Sequence, residues 1–201
     1  MYKMIINNGG GGPQADAKVD VNNRLHTLAL SEGFNIEAAL LGNNFNINSG
    51  DITLTSDSKS AVFYFKNLED KIFIIEDILV ILGTSTGGSG DLSVEVLQNP
   101  TTGTIIDTAT PVSTVANRHF GLTAQTLDAD LYKGAEGATL TSGPLFSDTT
   151  RTGPGVIEFD ADVIVLSKGA SIGVCVTPQT GNTNKNVKVA IVGYLVDTGN
   201  N

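Results

Sequence analysis

Two pairs of aspartates stand two residues apart: Asp128 and Asp130 in "LDADLYKG", and Asp160 and Asp162 in "FDADVIV". On a strand, residues at i and i+2 project from one side, so each pair could share a cation or divide acid and base roles. A calcium loop needs more oxygen ligands in a turn with a glycine, and neither stretch has that pattern. Both pairs therefore read as solvated strand faces. Asp160 and Asp162 are the pair an acid–base hydrolase would use. His26 in "NNRLHTLAL" and His119 in "ANRHFGL" lack HxH or HExxH spacing, and read as a polar strand position and a loop position. Cys175 is the only cysteine, which excludes an internal disulfide. A lone thiol within the strand pattern "SIGVCVTP" reads as a small packed hydrophobe rather than a nucleophile. No catalytic residue, cofactor-binding residue or metal ligand is assigned, and no cofactor is expected.

The stretch "LVILGTSTGGSGDLSVEVLQNP" from Leu79 to Pro100 leads an apolar run into four glycines. A phosphate loop needs a lysine and a Ser or Thr after its last glycine, then a helix whose first amides face the phosphate. Here Gly90 is followed by Asp91, an anion, and the next segment alternates as a strand. The dinucleotide fingerprint fails likewise, because no helix opens behind the glycines. The loop from Thr84 to Gly90 reads as a hairpin connection.

The elements around these residues follow a period of two. "DLSVEVL" puts Leu92, Val94 and Val96 on one face. "VIEFDADVIVL" puts Ile157, Phe159, Ala161, Val163 and Val165 inward, with Glu158, Asp160 and Asp162 outward. "SIGVCVT" buries Ile172, Val174 and Val176; "VKVAIVGYLV" alternates Val189, Ile191, Gly193 and Leu195 against Val192 and Tyr194. "ITLT" and "SAVFYFK" add Ile52, Leu54, Ala61, Phe63 and Phe65. "IFIIEDILVIL" is apolar on both faces, which predicts a central strand covered twice. Only "NIEAALLGNN" looks helical, with Asn35 as cap, Glu37 in the first turn and Gly42 or Asn43 as stop. Turn signals such as Ser49-Gly50-Asp51, Asn99-Pro100 and Gly153-Pro154-Gly155 recur at short intervals. The expected fold is all-β: a jelly-roll-like β-sandwich with at most one short helix. Residues 1–16, "MYKMIINNGGGGPQAD", read as a flexible N-terminal arm, and residues 17–201 as a single sandwich domain.

The chain has 201 residues, 40% hydrophobic and 16% charged, with a formal net charge of −9. Such acidity argues against nucleic acid and against an anionic membrane surface, since phosphate contacts need cations. No apolar run reaches the roughly 18 residues of a membrane helix. The N-terminal apolar stretch is too short for a signal peptide, and assembly in a reducing cytoplasm is expected. No tryptophan is present and aromatics are 6%, so a stacking platform for sugars or bases is poorly supplied.

The order of "INSGDITLTSDSKSAVFYFKN", "LGTSTGGSGDLSVEVLQNPTTGTII", "DLYKGAEGATLTSG" and "LSKGASIGVCVTPQTGNTNKNVKVAI" resembles that in tailed-bacteriophage virion structural proteins, over about Val19 to Val192. The resemblance implies a particle component, either a head decoration (capsid auxiliary) protein or a fibre protein, located in the virion and assembled in the host cytoplasm. It carries over no catalytic residues. The reading that follows is a non-enzymatic homotrimer that contacts the major capsid protein or another virion protein and cements the capsid exterior. The alternative is a receptor- or glycan-binding fibre module using loops 84–90, 99–104 and 134–155. Loop 134–143, "GAEGATLTSG", is the expected interface loop.

Overall fold

The computed structural model describes residues 4–6, 15–19, 25–26, 38–83, 91–121, 126–179 and 185–197; for residues 4–26 and 160–163 it describes backbone alone. The chain divides into two compact units, Met1–Gly33 and Phe34–Asn201. In the first, β1 (Met4–Ile6), β2 (Ala15–Val19) and β3 (Leu25–His26) form a three-stranded antiparallel sheet. Most of the expected arm, residues 1–3 and 7–14, lies outside the described residues.

The second unit is a β-sandwich. Its strands are β4 (Asn44–Asn48), β5 (Ile52–Leu54), β6 (Ser60–Asn67), β7 (Ile72–Leu82), β8 (Asp91–Gln98), β9 (Thr114–Asn117), β10 (Ala129–Lys133), β11 (Leu145–Thr152), β12 (Gly155–Leu166), β13 (Ser171–Pro178) and β14 (Lys185–Val196). The five-stranded sheet has the order β10-β6-β13-β8-β11. The six-stranded sheet has the order β12-β7-β14-β4-β9, with β5 also on β14. The pairs β5·β14, β6·β13, β7·β12 and β8·β11 are nested and antiparallel, as in one long double strand rolled across two sheets. That winding is the jelly-roll pattern. It also places β7 and β8 in different sheets, so the two do not form the expected hairpin.

The two inner faces close one core. Phe65 of the five-stranded sheet meets Phe73 of the six-stranded sheet edge to face, with centroids 4.8 Å apart at 83°, and Phe45 lies 6.4 Å from Phe73. Ile52, Leu54, Leu92, Val94, Val96, Ile172, Val174, Val176, Val189, Ile191 and Leu195 are buried there, as alternation predicts.

β-Bulges break that alternation at three places. β7 is buried at Phe73 and Ile75, then at Ile78, Val80 and Leu82, because the register slips at Glu76. On β12 the register shifts between Asp160 and Ile164. Beyond the shift Ile164 packs on the core while Val165 is 45% exposed, which corrects the inward assignment of Val165. On β6 both Val62 and Phe63 face the core, because the register against β13 shifts there. Ala61 therefore lies in a second cluster on the other side of the sheet, with Tyr64, Leu97, Ile105, Leu140 and Cys175.

Among the described residues, the strands covered on both faces are β6 and β13, not β7. The helix α2 (Thr104–Thr108) and the loop 134–143 lie over the outer side of the five-stranded sheet, burying Ile105 and Leu140. Helix α1 is described over residues 38–40 and stops at Gly42, φ 73°, near the predicted end. Helix α2 falls in a stretch that reads as turns in the sequence. Its Thr104 amide is met by Thr139 Oγ1 at 3.2 Å, so the partner that holds its first turn comes from a distant loop.

Candidate functional site

β7 places Ile74, Leu79 and Ile81 on the outer face of the six-stranded sheet, where they are half-buried. On β12, Val165 lies beside Ile74 and Val156 beside Ile81; on β14, Tyr194 lies beside Ile74. Val156 is 48% exposed. An outer sheet face ordinarily alternates to polar residues; this one carries apolar residues on three adjacent strands, interleaved with charged ones such as Lys188 beside Ile81 and Glu158 beside Leu79. Carboxylates cross it at Glu76, Asp77 and Glu158, and Arg118 reaches Glu76 at 3.6 Å. The Tyr194 phenol is pushed above its ordinary value by burial, and further by the Glu76 charge. This arrangement suits contact with another surface.

A second feature is an open hollow of about 520 Å³ between β5, α2 and the start of loop 134–143. Its lining includes Thr53, Thr104, Thr108, Thr110 and Lys133. Glu136, also on its wall, accepts from the Thr55 amide and hydroxyl and from the Ser56 amide. These bonds hold its carboxyl down at about 2. The hollow offers hydroxyls, one ammonium and fixed carboxylate charge, a lining that matches a polyhydroxylated ligand.

Of the sequence candidates, Asp128, Asp130 and His119 bond to neighbours other than one another. The Asp128 amide donates to Glu69 Oε1 at 2.9 Å, and Asp130 Oδ1 accepts from the Tyr132 hydroxyl at 3.0 Å. Asp160 is opposite Asp77 at the β12 shift; the side chains of Asp160 and Asp162 lie outside those described. His26 is on β3, and its side chain is also outside them. His119 follows β9, with its amide donating to Asn117 Oδ1 at 2.8 Å. Cys175 is 1% exposed, and its thiol is raised to about 11, chiefly by burial. Among the described residues, no group of three or more His, Cys, Asp or Glu is placed to hold a metal ion, and no helix is long and apolar enough to cross a membrane.

Several polar groups of the loop 134–143 are met within the chain. Ala138 O accepts from the Ala61 amide at 2.7 Å, and the Thr141 amide donates to Thr102 O at 3.0 Å. Gly134 packs so close to Ala61 O that a Cβ would approach it to 1.8 Å. Part of the expected interface loop is thus also a clasp on the five-stranded sheet, while Ala135, Glu136, Gly137 and Thr139 stay exposed. Residues 84–90 lie outside the described residues. Gly83-Thr84-Ser85-Thr86-Gly87 fits G-x-S-x-G spacing. A nucleophile elbow leads from strand to helix, whereas here strand β8 follows. The apolar outer face was legible in "IFIIEDILVIL", but was assigned to a covered strand.

No family model matches the sequence, and no curated protein matches it. Among solved structures, that of tomato aspermy virus aligns with 80% of this chain and 81% of its own at 11% identity, with a TM-score of 0.33. A likeness of that size carries no argument about function.

Proposed function

We propose that this chain is a non-enzymatic structural protein of a virus particle, of the tailed-bacteriophage kind, which decorates or cements the capsid exterior through contacts with sister subunits and the major capsid protein. The observation that carries the reading is the apolar outer face of the six-stranded sheet, with Ile74, Leu79 and Ile81 flanked by Val156 and Val165. A sandwich gains free energy by burying such residues against a neighbour. The net charge of −9 favours the outside of a particle over contact with packaged DNA. The sequence resemblance points the same way. The test is location: cryo-EM and antibody labelling of intact virions that carry this coding sequence. Density on the capsid exterior that declines in copy number with Leu79→Lys supports the reading; absence of the chain from purified virions overturns it.

The hollow beside α2 favours a second reading, a glycan-binding module of a phage fibre. Lys133 and the threonine hydroxyls around it would meet a sugar's hydroxyls. A glycan array probed with the full chain and with Lys133→Ala tests it. Binding lost in the variant supports this reading; no binding to any glycan removes it.

A further inference from the structure

β11 and β12 are edge strands of the two sheets, on the same side of the sandwich. The register of β11 on β8 shifts between Leu145 and Ser147, which leaves Phe146 unpaired and 54% exposed. Beside it the gap between the sheets stays open as a slot of about 190 Å³. Val96, Ile164, Val165, Leu166 and Ile172 form its walls together with Phe146. Asn99 and Ser171, also on the wall, bond to each other, the Ser171 amide donating to Asn99 Oδ1 at 2.9 Å. The lining therefore favours an apolar guest. An apolar cavity of about 150 Å³ is enough to hold a benzene ring, so this slot has room for one phenyl group.

The chain itself presents such a group. Phe120 is 95% exposed, more than any other large apolar residue described. It follows β9, which ends the six-stranded sheet on the side away from β12. Four strand spacings, about 19 Å, separate those two edges, so Phe120 does not reach the slot of its own chain. The two features are level along the strands. Val165 is opposite Ile74, Ile74 is opposite Tyr194, and Tyr194 is opposite Asn44, whose carbonyl accepts the Arg118 amide at 2.9 Å. A rotation about an axis running along the strands therefore carries Phe120 of one copy to the slot of the next. Charge agrees with that placement. Arg118 reaches Glu76 at 3.6 Å, yet its side chain is half-exposed. On the far side of Phe146 from the slot lies a cleft walled by Asp148 and Glu158. The incoming guanidinium would arrive beside those carboxylates.

We propose that copies of this chain join head to tail, with Phe120 of one copy seated in the slot of the next, between Phe146, Val165 and Leu166. The contact is heterologous: different surfaces of the two copies meet. Because Phe120 and the slot occupy opposite edges, two copies alone cannot fill both slots. The set closes as a ring of three or more, and a homotrimer is the smallest such ring. The contact is read on the purified chain and does not depend on location in a virion.

The experiment is sedimentation velocity of the full chain over a concentration series, beside two variants. Phe120→Ser removes the inserted ring, and Gln98→Trp fills the slot from its exposed rim. Both positions are exposed, so circular dichroism should match the parent. The parent is expected as a ring of three or more, and each variant alone should associate about tenfold or more weakly. An equimolar mixture of the two variants should form a one-to-one heterodimer, because the intact Phe120 of one meets the intact slot of the other. A parent that is monomeric at every concentration or stops at a dimer, folded variants that associate as well as the parent, or a mixture that yields no heterodimer overturns the proposal. Should Gln98→Trp fail to fold, Phe146→Asp takes its place.

Discussion

The carboxylate of Glu136 accepts the Thr55 backbone amide at 2.8 Å and the Thr55 hydroxyl at 2.6 Å. This contact ties the clasp over the five-stranded sheet to the turn after β5. It needs the ionised form, and its carboxyl is depressed from 4.5 to about 2. Its contribution is therefore complete above the unfolded value and disappears as pH falls through about 2. Glu136→Gln should lower Tm at pH 6, and the gap from the parent should close as pH approaches 2. Thermal melts across that range check it; a gap independent of pH contradicts the ionic origin.

Phe65 and Phe73 meet between the sheets, both fully buried. Phe65→Ala should cost about 3–5 kcal/mol, because a cavity is left where neither sheet can close. The double variant should cost less than the sum of the singles, since each ring packs on the other. Chemical denaturation measures all three.

At Gly193, a Cβ would come within 2.4 Å of Ile74 O and 2.5 Å of Phe73 Cε1. Gly193→Ala should destabilise by roughly 1–3 kcal/mol through overpacking. At Gly153 the space is open but φ is +76°, so Gly153→Ala should cost about 1 kcal/mol from backbone strain alone. Equal losses at the two sites would contradict this account.

Cys175 lies under α2 and the clasp with its thiol raised to about 11. It should react slowly with a thiol reagent at pH 8, and rapidly once denaturant opens the fold. Reaction before any loss of circular dichroism would mean that the cover over the five-stranded sheet opens independently of the core.

Where one side of a strand faces the core and no bulge intervenes, the sequence pattern is sufficient. Leu92, Val94 and Val96 of β8, and Val189 and Ile191 of β14, could be placed by counting in twos. A bulge has no such signature: at Val62 and between Asp160 and Ile164 it reverses the count, misplacing Ala61 and Val165. Cover was less legible still. "SAVFYFK" and "IFIIEDILVIL" are apolar at both parities, yet among the described residues β6 has a lid and β7 has none. The difference depends on where α2 and loop 134–143 come to rest, fixed by contacts such as Thr104 with Thr139 that no local window contains. The site follows the same logic: the described lid lies on the opposite sheet, which no local pattern indicates.

The nested pairing constrains the order of synthesis and folding. β14 lies inside the six-stranded sheet, between β7 and β4, and Leu54 finds its partner in Lys185. That sheet cannot close until the ribosome has delivered residue 185 and those after it. Nascent chains should therefore wait with β4 to β7 unsatisfied, exposed to chaperones, and then close slowly because the joining segments are so far apart in sequence. Once closed, the same wrapping makes escape slow, a persistence in time that equilibrium melting alone would not reveal.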